Sequence, residues 1–274
     1  MGDEAELLKG LSGVSVLAAA GCGKTELIAK AVAYSVGRQL VLTHTNAGVE
    51  AIRRRLRHWR VSNQLVAVDT LDGWCLKYVS SYPAISGGVP LKEDGFLDWQ
   101  ALRKAMNELL GNQVVKKIID ASYNGAFVDE YQDCGEEQHL LIMKLAALLP
   151  MRVLGDPLQA VFRFRENVSV EWRAVESAFP PAIHLKIPWR WRKAGTNLAL
   201  GNWLSDIRQH FEQGRVIDLA DPRIVYIKLA SPFDWEGLAR DAGFAAAERG
   251  GSVVAICKWP SNRDTLARMT GGLF

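Results

Sequence analysis

Small residues followed by Gly-Lys-Thr at Ala18–Thr25, AAAGCGKT, are typical of a loop that holds phosphate groups. In such a loop the backbone N–H groups wrap an anionic phosphate, Lys24 neutralises the β- and γ-phosphates, and the Thr25 hydroxyl holds Mg²⁺. The pattern G-x-x-x-x-G-K-[ST] is met except at its first position, which is Ala18. We therefore predict a nucleotide-binding P-loop made by Ala18, Ala19, Ala20, Gly21, Cys22, Gly23, Lys24 and Thr25.

Two adjacent carboxylates, Asp129 and Glu130, directly follow the apolar run Ala126–Val128. At the end of a buried strand, Asp129 is placed to hold the Mg²⁺ shell and Glu130 to polarise an attacking water. Taken alone, the pair fits an acidic helix N-terminus equally well. A P-loop about 100 residues upstream is the usual spacing for these motifs and favours the catalytic interpretation.

Three further stretches carry side chains suited to phosphate or base contacts. Gln159 follows a predicted strand and can hydrogen-bond a γ-phosphate or the attacking water. The alternation Phe162–Arg165 suits base stacking with phosphate contacts, although a buried phenylalanine pair with solvated arginines is the alternative. Arg190 beside Trp189 has the residue types of an arginine finger next to an adenine platform, and a plain surface corner is the alternative.

Short apolar strands alternate with amphipathic helices and would position these side chains. The predicted strands are the run from Val14, Gln39–Thr43, Leu65–Asp69, Ala126–Val128, Met151–Leu154 and Ile183–Ile187. This rhythm predicts an α/β fold in which helices pack on a parallel sheet.

The rhythm breaks at Ser80–Gly95, which is rich in Gly, Pro and Ser. Helical patterns at Leu97–Leu110 and Gln113–Ile119 then predict a small helical insertion. After Arg192 the order is a helix, a strand, a helix, a strand and a helix, which predicts the beginning of a second α/β layer. These elements are Thr196–Phe211, Arg223–Leu229, Asp234–Arg249, Ser252–Cys257 and a helix from near Asn262.

Composition limits the classes to which the chain can belong. Its 274 residues suit one large α/β domain or one and a half smaller ones, and 49% hydrophobic with 23% charged content is globular. No apolar tract is long enough to span a bilayer, and the acidic opening at Met1–Glu4 argues against a secretory signal. We expect a soluble cytoplasmic protein without a membrane partner.

Cysteines and basic residues give weaker indications. The four cysteines are far apart and form no C-x-x-C pair, so neither a zinc site nor a disulfide framework is predicted. A net charge of +3 does not establish nucleic-acid binding. Arginines do cluster at Arg53–Arg60 and again between Arg163 and Lys193, which is a weak sign of phosphate partners.

The order of these motifs resembles that of the UvrD/Rep-like superfamily 1 DNA helicases. AAAGCGKT is similar to motif I, VLTHTNAGVEAIRRRL to Ia, VDTLDGWC to Ib, VDEYQD to II, LGDPLQAVFRFR to III and IPWRWR to IV. The resemblance is clear over Val14–Arg192 and looser over Ile224–Thr270. It implies a RecA-like lobe at 1–79 and 120–195, a helical insertion at 80–119 and part of a second RecA-like lobe at 196–274.

The resemblance also implies ATP hydrolysis with Mg²⁺ and binding of single-stranded DNA. In the family pattern Gln159 senses the γ-phosphate, Arg190 is the first arginine finger and Trp189 stacks on adenine. The implied catalytic residues are Lys24, Glu130, Gln159 and Arg190, and the implied DNA contacts are Thr45, Thr70, Phe164 and Arg165.

Some positions depart from the family pattern. His44 stands where many members have a base-stacking Phe, and Asp72 stands where they have His, so that its acid would repel a DNA phosphate. No Gln-bearing adenine motif precedes the P-loop, and motifs V and VI are missing before Phe274. We expect a truncated or fragmentary product, with completion by a partner as the less favoured alternative.

Two other functions fit parts of the sequence. The first is an ATP-dependent DNA-sensing regulatory module that switches a partner such as a nuclease, in phage defence or as a repair accessory. The second, a GTPase or small-molecule kinase, is disfavoured because the sequence has no Asn-Lys-x-Asp guanine motif.

Overall fold

The computed structural model describes residues 2–160, 170–192, 197–218, 220–221, 225–231, 234–248, 256–257 and 260–270. The chain divides into two compact units, Met1–Ser205 and Asp206–Phe274. Among the helices of the described ranges, none is both long and apolar enough to cross a membrane.

Six parallel strands form the centre of the first unit. They are β1 (Val14–Ala18), β2 (Gln39–Thr43), β3 (Val66–Thr70), β4 (Gly125–Val128), β5 (Met151–Gly155) and β6 (Pro181–Leu185). Their order across the sheet is β3-β2-β4-β5-β1-β6, so that one strand, β5, separates β1 from β4. Because all six strands are parallel, their carboxyl ends lie along one edge of the sheet. The predicted α/β fold with a parallel sheet is confirmed.

Helices cover both faces of this sheet. The first unit contains α1 (Gly2–Gly10), α2 (Lys24–Tyr34), α3 (Asn46–His58), α4 (Leu71–Ser81), α5 (Pro83–Ser86), α6 (Trp99–Leu109), α7 (Gln113–Ser122), α8 (Glu136–Ala146), α9 (Trp172–Ala178) and α10 (Trp189–Arg192), and α11 (Leu198–Glu212) crosses into the second unit. Side chains of β4 alternate between the two hydrophobic cores: Phe127 packs with α1, α2 and α3, whereas Ala126 and Val128 pack with α4, α6, α7 and α8. A parallel sheet covered on both faces is expected to have such apolar strands.

The helical insertion packs directly on the sheet. Leu102 and Met106 of α6 and Val115 and Ile119 of α7 are fully buried, and they share one core with Val128 of β4. The helices predicted in this region are therefore present, and their apolar faces complete the core of the first unit.

Asp72 of α4 forms a polar tie between helix α6 of this insertion and helix α8. Arg103 of α6 donates from Nε to Asp72 Oδ1 at 2.8 Å and from Nη2 to Oδ2 at 2.5 Å. Gln138 of α8 also donates to Asp72 Oδ1 at 3.2 Å. The acid is thus neutralised within the fold, which its sequence position alone did not indicate.

The second unit contains α12 (Trp235–Glu248) and α13 (Pro260–Met269). Both helices were predicted, but the strand predicted at Arg223–Leu229 is wrong for its described part, since residues 225–229 are not in a strand. Val225 is 81% exposed, and a strand requires a neighbouring strand to pair its backbone groups. Of the strand predicted at Ser252–Cys257, residues 252–255 lie outside the described ranges, and 256–257 are not in a strand.

We expect the Asp72–Arg103 pair to stabilise the first unit, because both side chains are less than one-quarter exposed. A double-mutant cycle of D72A and R103A, measured by urea unfolding, should give a coupling energy of about 1–2 kcal/mol. The exposed Glu6–Lys9 pair of α1 is the control, with an expected coupling below about 0.5 kcal/mol. Equal coupling energies for the two pairs would show that the Asp72–Arg103 pair stabilises the first unit no more than an exposed ion pair does.

Candidate functional site

The Gly-Lys-Thr loop connects the end of β1 to the start of α2. Gly21 and Gly23 have φ angles of +76° and +93°, in the left-handed region that favours glycine. A Cβ at Gly21 would also lie 2.8 Å from the Cβ of Arg190, whose backbone N–H donates to the Gly21 carbonyl at 3.1 Å. The loop ends at the N-terminus of α2, where unpaired N–H groups and the helix dipole attract an anion.

Lys24 is the first residue of α2 and is only 8% exposed. Its Nζ lies 2.9 Å from Glu130 Oε2, which makes an ion pair between the P-loop and the end of β4. Gln132 Nε2 donates to the same Glu130 oxygen at 2.9 Å. A buried ammonium is stable only when it is paired, and Glu130 provides that pairing in this structure.

Glu130 has a strained backbone. Its φ of +55° lies in the left-handed region, which costs a residue other than glycine about 1–2 kcal/mol. The contacts with Lys24 and Gln132 offset this cost. Strain of this kind is concentrated at functional sites, so it supports a functional role for Glu130.

Asp129 lies at the end of β4 with 4% exposure and accepts a hydrogen bond from the Glu130 N–H at 3.0 Å. Burial, and then the charge of Glu130, raise the pKa of Asp129 well above its ordinary value, while Lys24 acts in the opposite direction. Burial and Glu130 also raise the pKa of Asp133 to about 6. Three carboxyl groups, those of Asp129, Glu130 and Asp133, thus lie close enough to influence one another, and Lys24 is the cation that opposes both increases in pKa.

The residue types at the ends of β4 and of the P-loop fit a divalent cation. The Asp129 carboxylate and the Thr25 hydroxyl are hard oxygen ligands of the kind that Mg²⁺ prefers. Within the described ranges no cluster of three His, Cys, Asp or Glu side chains could bind a metal ion unaided. Mg²⁺ sites of this type depend on phosphate and water for the remaining ligands, so the donor set is compatible with it.

A chain of hydrogen bonds connects Glu130 to the loop after β5. Gln132 donates to Glu130 and accepts from the Asp156 N–H at 3.0 Å, and Gln159 Nε2 donates to Asp156 Oδ2 at 2.6 Å. Gln132 and Asp156 were missing from the sequence prediction, although both belong to motifs that it quoted, VDEYQD and LGDPLQ. They hold Glu130 and Gln159 in fixed positions.

The side chains predicted to act on phosphate line one cavity of about 730 Å³. Those in the cavity wall are Lys24, Thr25, Glu130, Gln159, Trp189 and Arg190, together with Ala19, Ala20, Gly21 and Gly23. Ala18 and Cys22, also predicted to bind phosphate, are buried in the hydrophobic core and do not line it.

Helix α3 supplies a wall of this cavity that the sequence did not predict. Ala51, Arg54 and Arg55 line it beside Glu26 of α2. Glu26 accepts a hydrogen bond from Trp59 Nε1 at 2.9 Å and lies 3.6 Å from Arg55 Nη1. The side chain of Arg54 has no hydrogen bond or ion pair with any described residue. The available signal was the arginine cluster itself, which does not by itself indicate which arginines face α2.

The predicted DNA contacts in the described ranges are both helix N-caps. Thr45 lies just after β2, and Thr70 is the last residue of the adjacent strand β3. Each hydroxyl oxygen accepts a hydrogen bond at 3.0 Å, from the N–H of Gly48 and Gly73 respectively. They lie at the same edge of the sheet as the P-loop. Phe164 and Arg165 lie outside the described residues.

His44, at the position of a base-stacking Phe in the family pattern, is turned into the structure. Its Nε2 lies 3.4 Å from the Sγ of Cys134, a fully buried residue. The imidazole ring of His44 therefore contacts a buried side chain of the protein.

A parallel sheet with a glycine-rich loop, a buried lysine and paired carboxylates at its carboxyl edge defines a P-loop nucleotide-binding protein of the α/β class. The family model of the UvrD/REP helicase N-terminal domain matches residues 4–87 and 89–179, which is more than half of the chain. The chain belongs to this family. The predicted RecA-like fold is confirmed, and family membership supports a helicase-type function with use of a nucleotide.

Among solved structures, the chain is similar to the arterivirus nonstructural protein 10 helicase in complex with DNA, at 15% identity and a TM-score of 0.39. The match covers 74% of this chain and 42% of that one, so the chain spans less than half of the viral protein's length. No curated protein matches the chain.

We expect R54A to weaken nucleotide binding by about three- to tenfold, because the Arg54 guanidinium lines the cavity and has no charged partner among the described residues. The measurement is titration with a fluorescent ATP analogue, and K117A on α7, away from the cavity, is the control. Comparison of ATP with tripolyphosphate shows which part of the nucleotide Arg54 contacts. If R54A and K117A bind ATP equally well, Arg54 has no role in the site.

Proposed function

We propose that this chain is the ATP-binding part of an ATP-dependent DNA translocase of the helicase type. It would bind ATP with Mg²⁺, hydrolyse it to ADP and phosphate, and bind single-stranded DNA. The observation that carries this proposal is the Lys24–Glu130 ion pair in a cavity that Gln159 and Arg190 also line.

Lys24 and Glu130 have complementary roles in this proposal. Lys24 exchanges the Glu130 carboxylate for a phosphate oxygen, so the ammonium remains paired throughout. Glu130, released from Lys24 but still hydrogen-bonded to Gln132, accepts a proton from the attacking water. The same contact that stabilises Lys24 without nucleotide thus holds the general base beside the reacting phosphate.

Thr25 and Asp129 would hold Mg²⁺, which neutralises charge on the phosphates when it is bound. Gln159 is hydrogen-bonded to Asp156 and lines the same cavity, which supports a role for its amide in sensing the γ-phosphate. Arg190 is held against the P-loop through its backbone, and its guanidinium is suited to stabilise charge on the transferred phosphoryl group. Trp189, 39% exposed in the cavity wall, offers an aromatic face to the base.

DNA would cross the carboxyl edge of the sheet at Thr45 and Thr70. Phosphate contacts from helix N-termini are a common way to position a strand. In this proposal a second RecA-like lobe completes the catalytic cleft, either within a longer form of the protein or as part of a partner protein.

The second candidate is an ATP-dependent DNA-sensing module that switches a partner such as a nuclease. The strained Glu130 backbone and its exchangeable ion pair favour it, because two arrangements of Lys24 and Glu130 could report whether nucleotide is bound. If E130Q leaves biological activity intact while K24A abolishes it, binding rather than hydrolysis is the function.

We predict that these 274 residues bind ATP and hydrolyse it weakly. E130Q should bind ATP within about threefold of the unaltered chain and lose about 10²-fold or more in hydrolysis, since the general base is gone but a polar oxygen remains. K24A should lose binding itself. Nucleotide titration and phosphate release measure these two quantities. Vigorous DNA-stimulated hydrolysis by this chain alone would contradict the need for a second lobe.

The DNA path can be tested without loss of the helix cap. T45D keeps a good N-cap residue at the start of α3, so stability should be unchanged, but its negative charge should weaken single-stranded DNA binding about tenfold. N112D makes the same change to the cap of α7 and is the control. Fluorescence anisotropy with a labelled oligonucleotide is the measurement. Equal affinities for T45D and N112D would exclude Thr45 from the DNA path.

A further inference from the structure

A second cavity, of about 580 Å³, lies along β3, at the outer edge of the sheet. We call it the β3 groove. Its basic residues are Arg38, Arg53, Arg57 and Lys77, and Asp69 is its acidic residue. All of its lining residues differ from those of the nucleotide cavity.

The positive charge of the β3 groove is only partly balanced. Lys77 forms an ion pair with Asp69, and Arg53 is bound to Glu50 and to the Val68 carbonyl. Arg38 lies over the ring of Tyr123 at 5.7 Å. Neither Arg38 nor Arg57 has a carboxylate partner among the described residues. Two exposed guanidinium groups are therefore available to an anion.

The groove also contains hydrogen-bond donors without acceptors. Trp74 is 3% exposed, lines the groove, and its Nε1 has no hydrogen-bond partner among the described residues. Because the Leu65 carbonyl accepts from Gln39 of β2, alternation directs the backbone N–H groups of Val66 and Val68 away from β2. The Val68 carbonyl faces the same way, since Arg53 binds it. The Val66 carbonyl also faces this side, so the backbone offers both donors and acceptors. The unpaired Trp74 Nε1 and the guanidinium groups of Arg38 and Arg57 are the groups that suit an anionic ligand.

The groove adjoins the proposed DNA path. It includes Asp69, the residue before Thr70. From there it extends along β3 to Arg38 and Asn63, which lie near the amino ends of β2 and β3. Its apolar side chains Val66, Val68 and Trp74 are buried, so it lacks the open apolar pockets that would anchor the side chains of a peptide.

We propose that the β3 groove binds the phosphodiester backbone of a nucleic-acid strand as it leaves the carboxyl edge of the sheet at Thr70. Arg38 and Arg57 each contact a phosphate, and the contacts are independent of base sequence. This inference rests on the proposed binding of DNA and extends the strand's path beyond Thr45 and Thr70.

The test compares R38A/R57A with K116A/K117A, a pair on α7 outside the groove that removes the same charge. Anisotropy titrations of a labelled single-stranded oligonucleotide are repeated over a range of salt concentrations. Two lost phosphate contacts should reduce the log–log salt slope by about 1.4 for R38A/R57A and weaken binding about tenfold, with K116A/K117A near the unaltered chain. Binding of the ATP analogue should be unchanged in both variants, which confirms that they are folded.

Each other outcome overturns a defined claim. Equal slopes and affinities for R38A/R57A and K116A/K117A, with DNA still bound, would reject the β3 groove and leave the proposed function standing. A chain that binds ATP but no DNA would reject both the DNA path and the groove. If the unaltered chain binds a labelled poly-glutamate peptide and R38A/R57A does not, while both bind DNA equally well, the ligand of the groove is an acidic peptide and the nucleic acid is rejected.

Discussion

The Lys24 ammonium is nearly buried, and a buried charge must have a partner of opposite sign. In this structure the partner is Glu130, held 2.9 Å away in a strained left-handed conformation. Several elements of the first unit hold the Lys24 ammonium and the Glu130 carboxylate in contact. The P-loop positions Lys24, Asp129 and Glu130 directly follow β4, and Gln132 also binds the Glu130 carboxylate. A phosphate that displaces Glu130 would release the side chain best placed to act on it.

The P-loop and the acidic pair could be predicted from sequence because each is a local pattern attached to a strand end. Parallel strands bring all such ends to one edge, so the nearness of Lys24 and Glu130 follows from topology. The hydrogen bonds that connect Glu130 through Gln132 and Asp156 to Gln159 did not follow, since they depend on β5 lying next to β4. The strand order became known only from the structure.

The packing of the helices determines side-chain positions that could not be predicted from the sequence. The arginine cluster at Arg53–Arg60 gave only a weak sign of phosphate partners, whereas in the structure its members divide between two cavities. Arg54 and Arg55 line the nucleotide cavity, and Arg53 and Arg57 line the β3 groove. The division depends on α3 packing between α2 and the outer strands, which periodicity alone does not define. Asp72 is a similar case, because its arginine partner comes from a helix about 30 residues further along the chain.

A crystal structure of the chain with Mg²⁺ and a non-hydrolysable ATP analogue tests the central claim most directly. Lys24 should leave Glu130 and lie within hydrogen-bonding distance of a β- or γ-phosphate oxygen, with Gln159 and Arg190 facing the same phosphate. Glu130 should remain bound to Gln132 and point at the site of the attacking water. An intact Lys24–Glu130 pair, with the analogue bound elsewhere or not at all, would contradict the account.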